Sequence, residues 1–275
     1  MTVSANKFSR LLKSWRAKSK VSQLELSLRC NVSQKHISFV ELERTTPSKA
    51  LVMDFCEALG IPLRDRNTLL LAAGYAPEYS ESKLTGPELV AIDHALKMIL
   101  EQQEPFPAMV LDRMFNVVRA NHGALELQTL LFGVEQPSEL PAIATNLLRG
   151  LFYPEGYRDS ISNWVEIAPY FLRQLQDEIF AYHEPYELQK LLQELQTCDG
   201  VPEDWKQYQP EQLQAPILTI DIKKDDIELS LFSTIATLGT PFDITTQEMR
   251  IECYFPANEM TRQYFAAKEV SSSIV

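Results

Sequence analysis

Residues 22–44 read SQLELSLRCNVSQKHISFVELER, from Ser22 to Arg44, and their pattern decides the fold of the first part of the chain. Ser22 with Glu25 three residues on is a capping box, in which the hydroxyl accepts from an otherwise unpaired amide at a helix start. That helix runs to about Cys30, and Asn31 then tolerates the left-handed backbone of a tight turn. Ser33 caps the next helix, which runs to about Glu43. Two helices that cross closely need a small residue where they touch, and Ser27 stands there. Leu26, Cys30, Val32, Ile37 and Val40 fall at the offsets of a shared core. Gln34, Lys35, Ser38 and Phe39 are left on the outer face of the second helix, near its N-terminal end, with Ser33 and His36 beside them. A helix presented this way enters the major groove of DNA by its N-terminal residues. Gln pairs bidentately with adenine, and Lys donates to guanine. Gln23, in the first turn of the preceding helix, is placed to hold a phosphate together with backbone amides.

Working outward, the first 80 residues predict five short helices. Phe8, Leu11, Leu12 and Trp15 recur at helical spacing, with Lys7, Arg10, Lys13 and Arg16 on the other face. Thr45–Pro47 stops the third helix. Ser48 starts a fourth, carrying Leu51, Phe55 and Leu59 and closed by Gly60 and Pro62; a fifth covers Arg64 to Ala73 and ends at Gly74. Residues 76–87 are polar, with two prolines and a glycine, and suit a boundary. A helix over about 87–103 follows, so that 81–105 reads as linker and connecting helix. Residues 106–265 form a second domain and 266–275 a tail.

The second domain changes character. Ala108 to Asn121 predicts a hairpin around Asp112-Arg113, and residues 122–200 return to helices. Leu218, Ile220 and Ile222 alternate with polar residues, as do Ile227, Leu229 and Leu231 beyond a Lys223–Asp226 turn. Ile251, Cys253 and Phe255 then alternate with Arg250, Glu252 and Tyr254 in a last strand. The expected fold is an all-α five-helix domain followed by an α+β domain.

Charge is distributed unevenly. Residues 1–49 hold ten Lys and Arg against Glu25, Glu41 and Glu43, a balance of +7 on a chain of net −11, which leaves −18 on the other 226 residues. A basic block on an acidic chain is the footprint of a small module facing a polyanion, and Arg16 and Arg44 are the expected phosphate contacts. The segment Met1 to Lys20, basic and free of acids, could pass for a transit peptide; its pattern continues into the next helix, and it reads as the first helix of the fold. Four scattered cysteines without a CxxC pair argue against zinc and a disulfide framework and suit a reducing cytoplasm. No run reaches the roughly 18–20 apolar residues of a membrane span.

The segment resembles the helix-turn-helix of the phage lambda repressor and Cro type, the xenobiotic-response-element family. It carries that family's Ser22-Gln23-Leu24 opening, its Val32-Ser33-Gln34 entry to the recognition helix, and a Val40-Glu41 close with Arg44 beyond. Asn31 departs from the commoner glycine. The whole chain is further similar to MmyB-like regulators. The similarity rests on the blocks from His36 to Ser48, Glu57-Ala58-Leu59, Arg64 to Asn67 and Leu71 to Pro77, then on Val110-Leu111-Asp112-Arg113, Arg119-Ala120-Asn121 and Asn146-Leu147-Leu148-Arg149. Asn163-Trp164, Phe232-Ser233-Thr234 and Phe255-Pro256-Ala257 continue it.

That resemblance implies a transcription regulator whose second domain is a PAS-like module binding a small, largely apolar and fatty-acid-like effector, with no other cofactor. Phe106, Phe152, Trp164, Phe171 and Phe232 are the candidate lining for such a tail, and Arg149 beside Asn121 or Asn146 the candidate donors to a head group. The expected partners are double-stranded DNA with a palindromic operator, a second copy of the chain and the effector, with no membrane. His36, His94, His122 and His183 share no metal-like spacing, and no nucleotide-binding or nucleophile-elbow motif is present, so no enzyme is expected. The rival readings are a protein-interaction module, such as an antitoxin or adaptor, and a lipid-handling enzyme or carrier.

Overall fold

A computed structural model of the chain describes residues 2–183, 185–207 and 217–272. The chain divides into two compact units. The first takes residues 1–82 together with two short segments from later in the chain, 181–184 and 240–247; the second takes the rest.

Five helices from the first 82 residues make up most of the first unit: α1 (Thr2–Lys18), α2 (Gln23–Arg29), α3 (Gln34–Glu41), α4 (Lys49–Ala58) and α5 (Leu63–Ala72). Serines start three of them, as the sequence predicts. Ser22 accepts from the Glu25 amide at 3.0 Å, Ser33 from that of His36 at 3.1 Å, and Ser48 from that of Leu51 at 3.3 Å. Phe8, Leu12, Trp15, Leu26, Ile37 and Phe55 meet in one buried core. The later segments close this unit: the Asp243 carboxylate accepts from the Ser80 hydroxyl at 2.8 Å and the Ser82 amide at 3.0 Å, and Gln247 accepts from the Leu63 amide at 2.7 Å.

The second unit is an antiparallel sheet flanked by helices. Its strands are β1 (Ala108–Leu111), β2 (Val117–Ala120), β3 (Ile220–Lys224), β4 (Ile227–Ala236) and β5 (Arg250–Pro256), in the order β2-β1-β5-β4-β3. Two hairpins thus flank the last strand, and the helices α7 (His122–Phe132), α8 (Leu147–Phe152), α9 (Trp164–Ala181) and α10 (Tyr186–Leu195) lie between them in sequence. This is the α+β, PAS-like arrangement that the resemblance implies. The helix α6 (Val90–Gln102), expected as a connector, belongs to this unit's core: Leu96 and Leu100 pack with Val110 and Ile251. A last helix, α12 (Glu259–Ser272), follows the short α11 (Ile244–Glu248) and β5. It runs through most of the expected tail 266–275, of which 273–275 lie outside the described residues.

Register decides what the sheet presents to either side. Val110 pairs with Ile251 and Ala108 with Cys253, toward α6, whereas Met109 pairs with Glu252 and Leu111 with Arg250. On β5, Arg250, Glu252 and Tyr254 therefore share one face, and all three are buried.

Candidate nucleic-acid interface and ligand cavity

The turn between α2 and α3 is built as its residues require. Asn31 adopts φ 51°, in the left-handed region that a short polar side chain tolerates better than most. The Val32 amide then reaches back to the Ser27 carbonyl at 3.0 Å, while the buried Ser27 hydroxyl donates to the Leu24 carbonyl at 2.7 Å. A larger side chain at Ser27 would force the helices apart.

With Ile37 and Val40 buried, α3 turns its other face outward. Gln34 and Lys35 are exposed at its first turn, Ser33 is exposed at the cap, and His36, Ser38 and Phe39 are half-buried. Lys35 Nζ lies 5.4 Å from the Phe39 ring centre, and the exposed Arg44 lies 5.7 Å from the same ring. Two cations thus flank one aromatic edge on the outer face of the helix. This is a surface that can offer hydrogen bonds to base edges, an apolar contact to a thymine methyl and positive charge to phosphate.

Two of the expected DNA contacts are engaged elsewhere. Arg16 donates Nε to Glu41 Oε1 at 2.7 Å, Nη2 to Glu41 Oε2 at 3.2 Å, and Nη1 to the Val21 carbonyl at 3.0 Å. Gln23 donates its amide to the same carboxylate at 2.7 Å. Glu41 is 2% exposed, so a buried carboxylate needs these partners, and it takes the side chains that the basic surroundings had assigned to phosphate. Sequence reasoning missed Glu41; the signal was an acid in the last turn of a helix whose neighbours are basic. Other cations of the block are also spent internally. Lys18 donates to the Tyr182 carbonyl at 3.0 Å over the Trp15 ring, with burial lowering its pKa; Arg29 pairs with Glu25; and Lys49 pairs with Glu78. Burial pushes the Cys30 and Cys56 thiols up, to about 11 and about 12, so neither is a ready nucleophile or metal ligand.

In the second unit a small apolar cleft, with a cavity volume of about 40 Å³, lies between β1, β3, β4 and β5 and the helices α7, α8 and α9. Leu127, Leu131, Leu147, Leu151 and Phe171 line it, with Met109 and Tyr254 from the sheet. The space is narrow: little of it would admit a freely moving water molecule.

Of the eight expected ligand residues, only Phe171 lines this cleft. Phe106 packs edge-on against Phe265, Phe152 against Trp164, and Phe232 stacks on Phe255. Asn121 caps α7: its Oδ1 accepts from the Ala108 and Ala124 amides at 2.9 Å, and its amide donates to the Leu100 and Phe106 carbonyls. Asn146 caps α8 in the same way and donates to the Met114 carbonyl at 2.8 Å. With every polar atom held by backbone or a neighbouring side chain, these asparagines are structural. Arg149 faces Glu194 at 3.6 Å, and it too stands outside the cleft.

What the site expectation missed is a row of buried polar groups. Glu252 is 3% exposed on the same strand face as Tyr254, and hydrogen bonds from Ser233 and Tyr254 reach its carboxyl. Burial raises its pKa, and burial likewise raises those of Tyr157, Tyr170 and Tyr254.

Comparison with known proteins adds the following. Residues 92–267 match the MmyB-like transcription regulator ligand binding domain, and residues 12–65 match a helix-turn-helix family. No curated protein matches. A solved structure of an RNA-binding light-oxygen-voltage receptor aligns over 97% of this chain at 10% identity with a TM-score of 0.29, a likeness too slight to speak for fold or function. The chain spans 63% of that structure's length. Among the described residues no helix is long and apolar enough to cross a membrane.

Proposed function

The chain belongs to the MmyB-like transcription regulators, a DNA-binding helix-turn-helix joined to a ligand-binding domain, and from that premise we propose how each half works. A homodimer presents two α3 helices about 34 Å apart to a roughly palindromic operator. Gln34 and Lys35 read base edges, Phe39 contacts a thymine methyl, and Ser33, His36, Ser38 and Arg44 fix the helix on sugar and phosphate. The observation that carries this is the exposure of Gln34 and Lys35 at the capped N-terminal turn of α3, beside a cation-flanked Phe39.

The effector is a small, largely apolar molecule, a reading supported by the apolar walls of the cleft. It alters operator affinity only as far as it binds the DNA-competent and incompetent states differently, and a coupling of about 1–3 kcal/mol gives roughly 5–150-fold regulation. Chain continuity supplies one link: residues 240–247, which cluster with the helix-turn-helix unit, lead into β5, whose Tyr254 lines the cleft.

The test is selection of sites by the purified chain from a random pool of duplex DNA, followed by footprinting. Enrichment of a two-fold symmetric sequence is expected; failure to enrich any sequence would overturn the proposal. One observation favours a protein partner instead: Leu24, Leu28 and Leu42 are 54%, 73% and 54% exposed on the first unit. A stable protein complex with no retardation of the selected DNA would give that alternative the advantage.

A further inference from the structure

We infer that Glu43 is a positioning residue for DNA recognition: its carboxylate, held by Ser9 of α1, fixes the C-terminal end of α3 and so the tilt at which Gln34 and Lys35 meet the groove. This rests on α3 being the recognition helix. That helix ends in a tight backbone loop, in which the Glu43 amide donates to the Val40 carbonyl at 3.1 Å and the Arg44 amide to the Phe39 carbonyl at 2.8 Å. Such a loop needs a left-handed residue at its corner, and Glu43 supplies it with φ 63°. Glycine takes this role at Gly60 and Gly74, after α4 and α5, and asparagine at Asn31 after α2; Lys20 adopts the same backbone after α1. A residue with a Cβ is less at ease there than glycine. What Glu43 adds is a bond to another helix. The hydroxyl of Ser9, a residue 1% exposed, donates to Glu43 Oε1 at 2.8 Å.

Ser9 and Arg16 stand seven residues apart on α1, about two turns, and so share one face of that helix. Arg16 donates to Glu41 at 2.7 Å while Ser9 donates to Glu43, so α1 grips the end of α3 at two points. The opposite end carries Gln34 and Lys35 and is exposed. With one point held, α3 could still rock about it; a second bond two residues on removes that freedom. A helix of eight residues is about 12 Å long, and rocking by about 5° about its held end moves its first turn by about 1 Å. Hydrogen bonds to base edges form over roughly 2.7–3.2 Å, so a shift of that size breaks them. Arg44, whose guanidinium lies 5.7 Å from the Phe39 ring, leaves the helix from the same corner and takes its direction from it.

The experiment measures binding of the purified full chain to the selected duplex site by fluorescence anisotropy over a range of salt, beside thermal unfolding. Glu43→Gln keeps an oxygen for Ser9 and drops the charge, whereas Glu43→Gly drops both and relaxes the backbone. The two variants carry equal charge, so their difference reports the bond to α1 and not repulsion of phosphate. Glu43→Gly is expected to melt no lower than Glu43→Gln and yet to bind the site about threefold or more weakly, with an equal salt slope. Ser9→Ala, which keeps the carboxylate and removes its donor, should weaken binding by a similar factor. A smaller gap between the two Glu43 variants, wild-type binding by Ser9→Ala, or a loss in Glu43→Gly that goes with lower melting overturns the inference. Gln34→Ala and Lys35→Ala are measured alongside. Their expected loss without a gap at position 43 leaves the recognition helix standing, and no loss in either removes that reading and this inference with it.

Discussion

Arg16→Ala separates a structural arginine from a phosphate contact. In the structure the side chain makes three charge-assisted hydrogen bonds, two to Glu41 at 2.7 and 3.2 Å and one to the Val21 carbonyl at 3.0 Å. Its removal leaves a carboxylate that is 2% exposed with Gln23 as its remaining side-chain donor at 2.7 Å. Breaking a fully buried pair by deleting one partner costs about 3–5 kcal/mol. Arg16 itself is 21% exposed, so water can reach part of the vacated space, and the expected loss lies at the lower end, about 3 kcal/mol. For a unit of this size that corresponds to a fall in melting temperature of roughly 12–24 °C. The assay is urea and thermal unfolding of the full chain by far-UV circular dichroism. Alongside it, the salt dependence of binding to a selected site is measured at a temperature where the variant is folded. A destabilised protein with an unchanged salt slope is expected, and replacing both Arg16 and Glu41 by Met and Leu should recover most of the stability. A variant within about 0.5 kcal/mol of the parent, with a salt slope lower by about 1, would refute the structural role and return Arg16 to the phosphate.

Gln34→Ala and Lys35→Ala should each weaken binding to the selected site by about 1–3 kcal/mol, with base preference relaxed at one position and melting unchanged; wild-type footprints from both would mean that α3 does not read the groove. Asn121→Ala should destabilise the second unit by about 2–4 kcal/mol, since it removes a helix cap and leaves buried backbone groups unpaired; a near-neutral effect on unfolding would contradict its structural assignment. Burial raises the Glu252 carboxyl above its ordinary value of 4.5, so the folded chain holds a proton that the unfolded chain releases. Stability from this group is complete below 4.5 and is lost as pH rises through the raised value, so Glu252→Gln should gain on the parent across that window in melting scans; a difference constant with pH would exclude the shift.

The parts of this protein that were legible in its sequence are those set by neighbours within about four residues. Ser22, Ser33 and Ser48 announce helix starts because a cap binds an amide three positions on, and Asn31 announces the turn because few other residues tolerate its backbone. Asn121 and Asn146 carried the same local signal, each preceding a helix, and a cap is the more economical explanation of both than a ligand. Arg16 and Glu41 stand 25 residues apart, and a count of charge along the chain cannot tell a paired guanidinium from one facing solvent. The strand Arg250–Pro256 shows the limit most clearly. Its alternation predicts an apolar face of Ile251, Cys253 and Phe255 and a polar face of Arg250, Glu252 and Tyr254, and ordinary patterning would turn the second outward. Here α6 covers one side of the sheet while α7, α8 and α9 enclose the cleft on the other, so both faces are buried and the polar row stands on the cleft side. Period-two patterning reveals which residues share a face, but which face borders the cleft depends on helices that end 69 or more residues before the strand begins. The same alternation that made the strand readable therefore concealed that its polar row is buried.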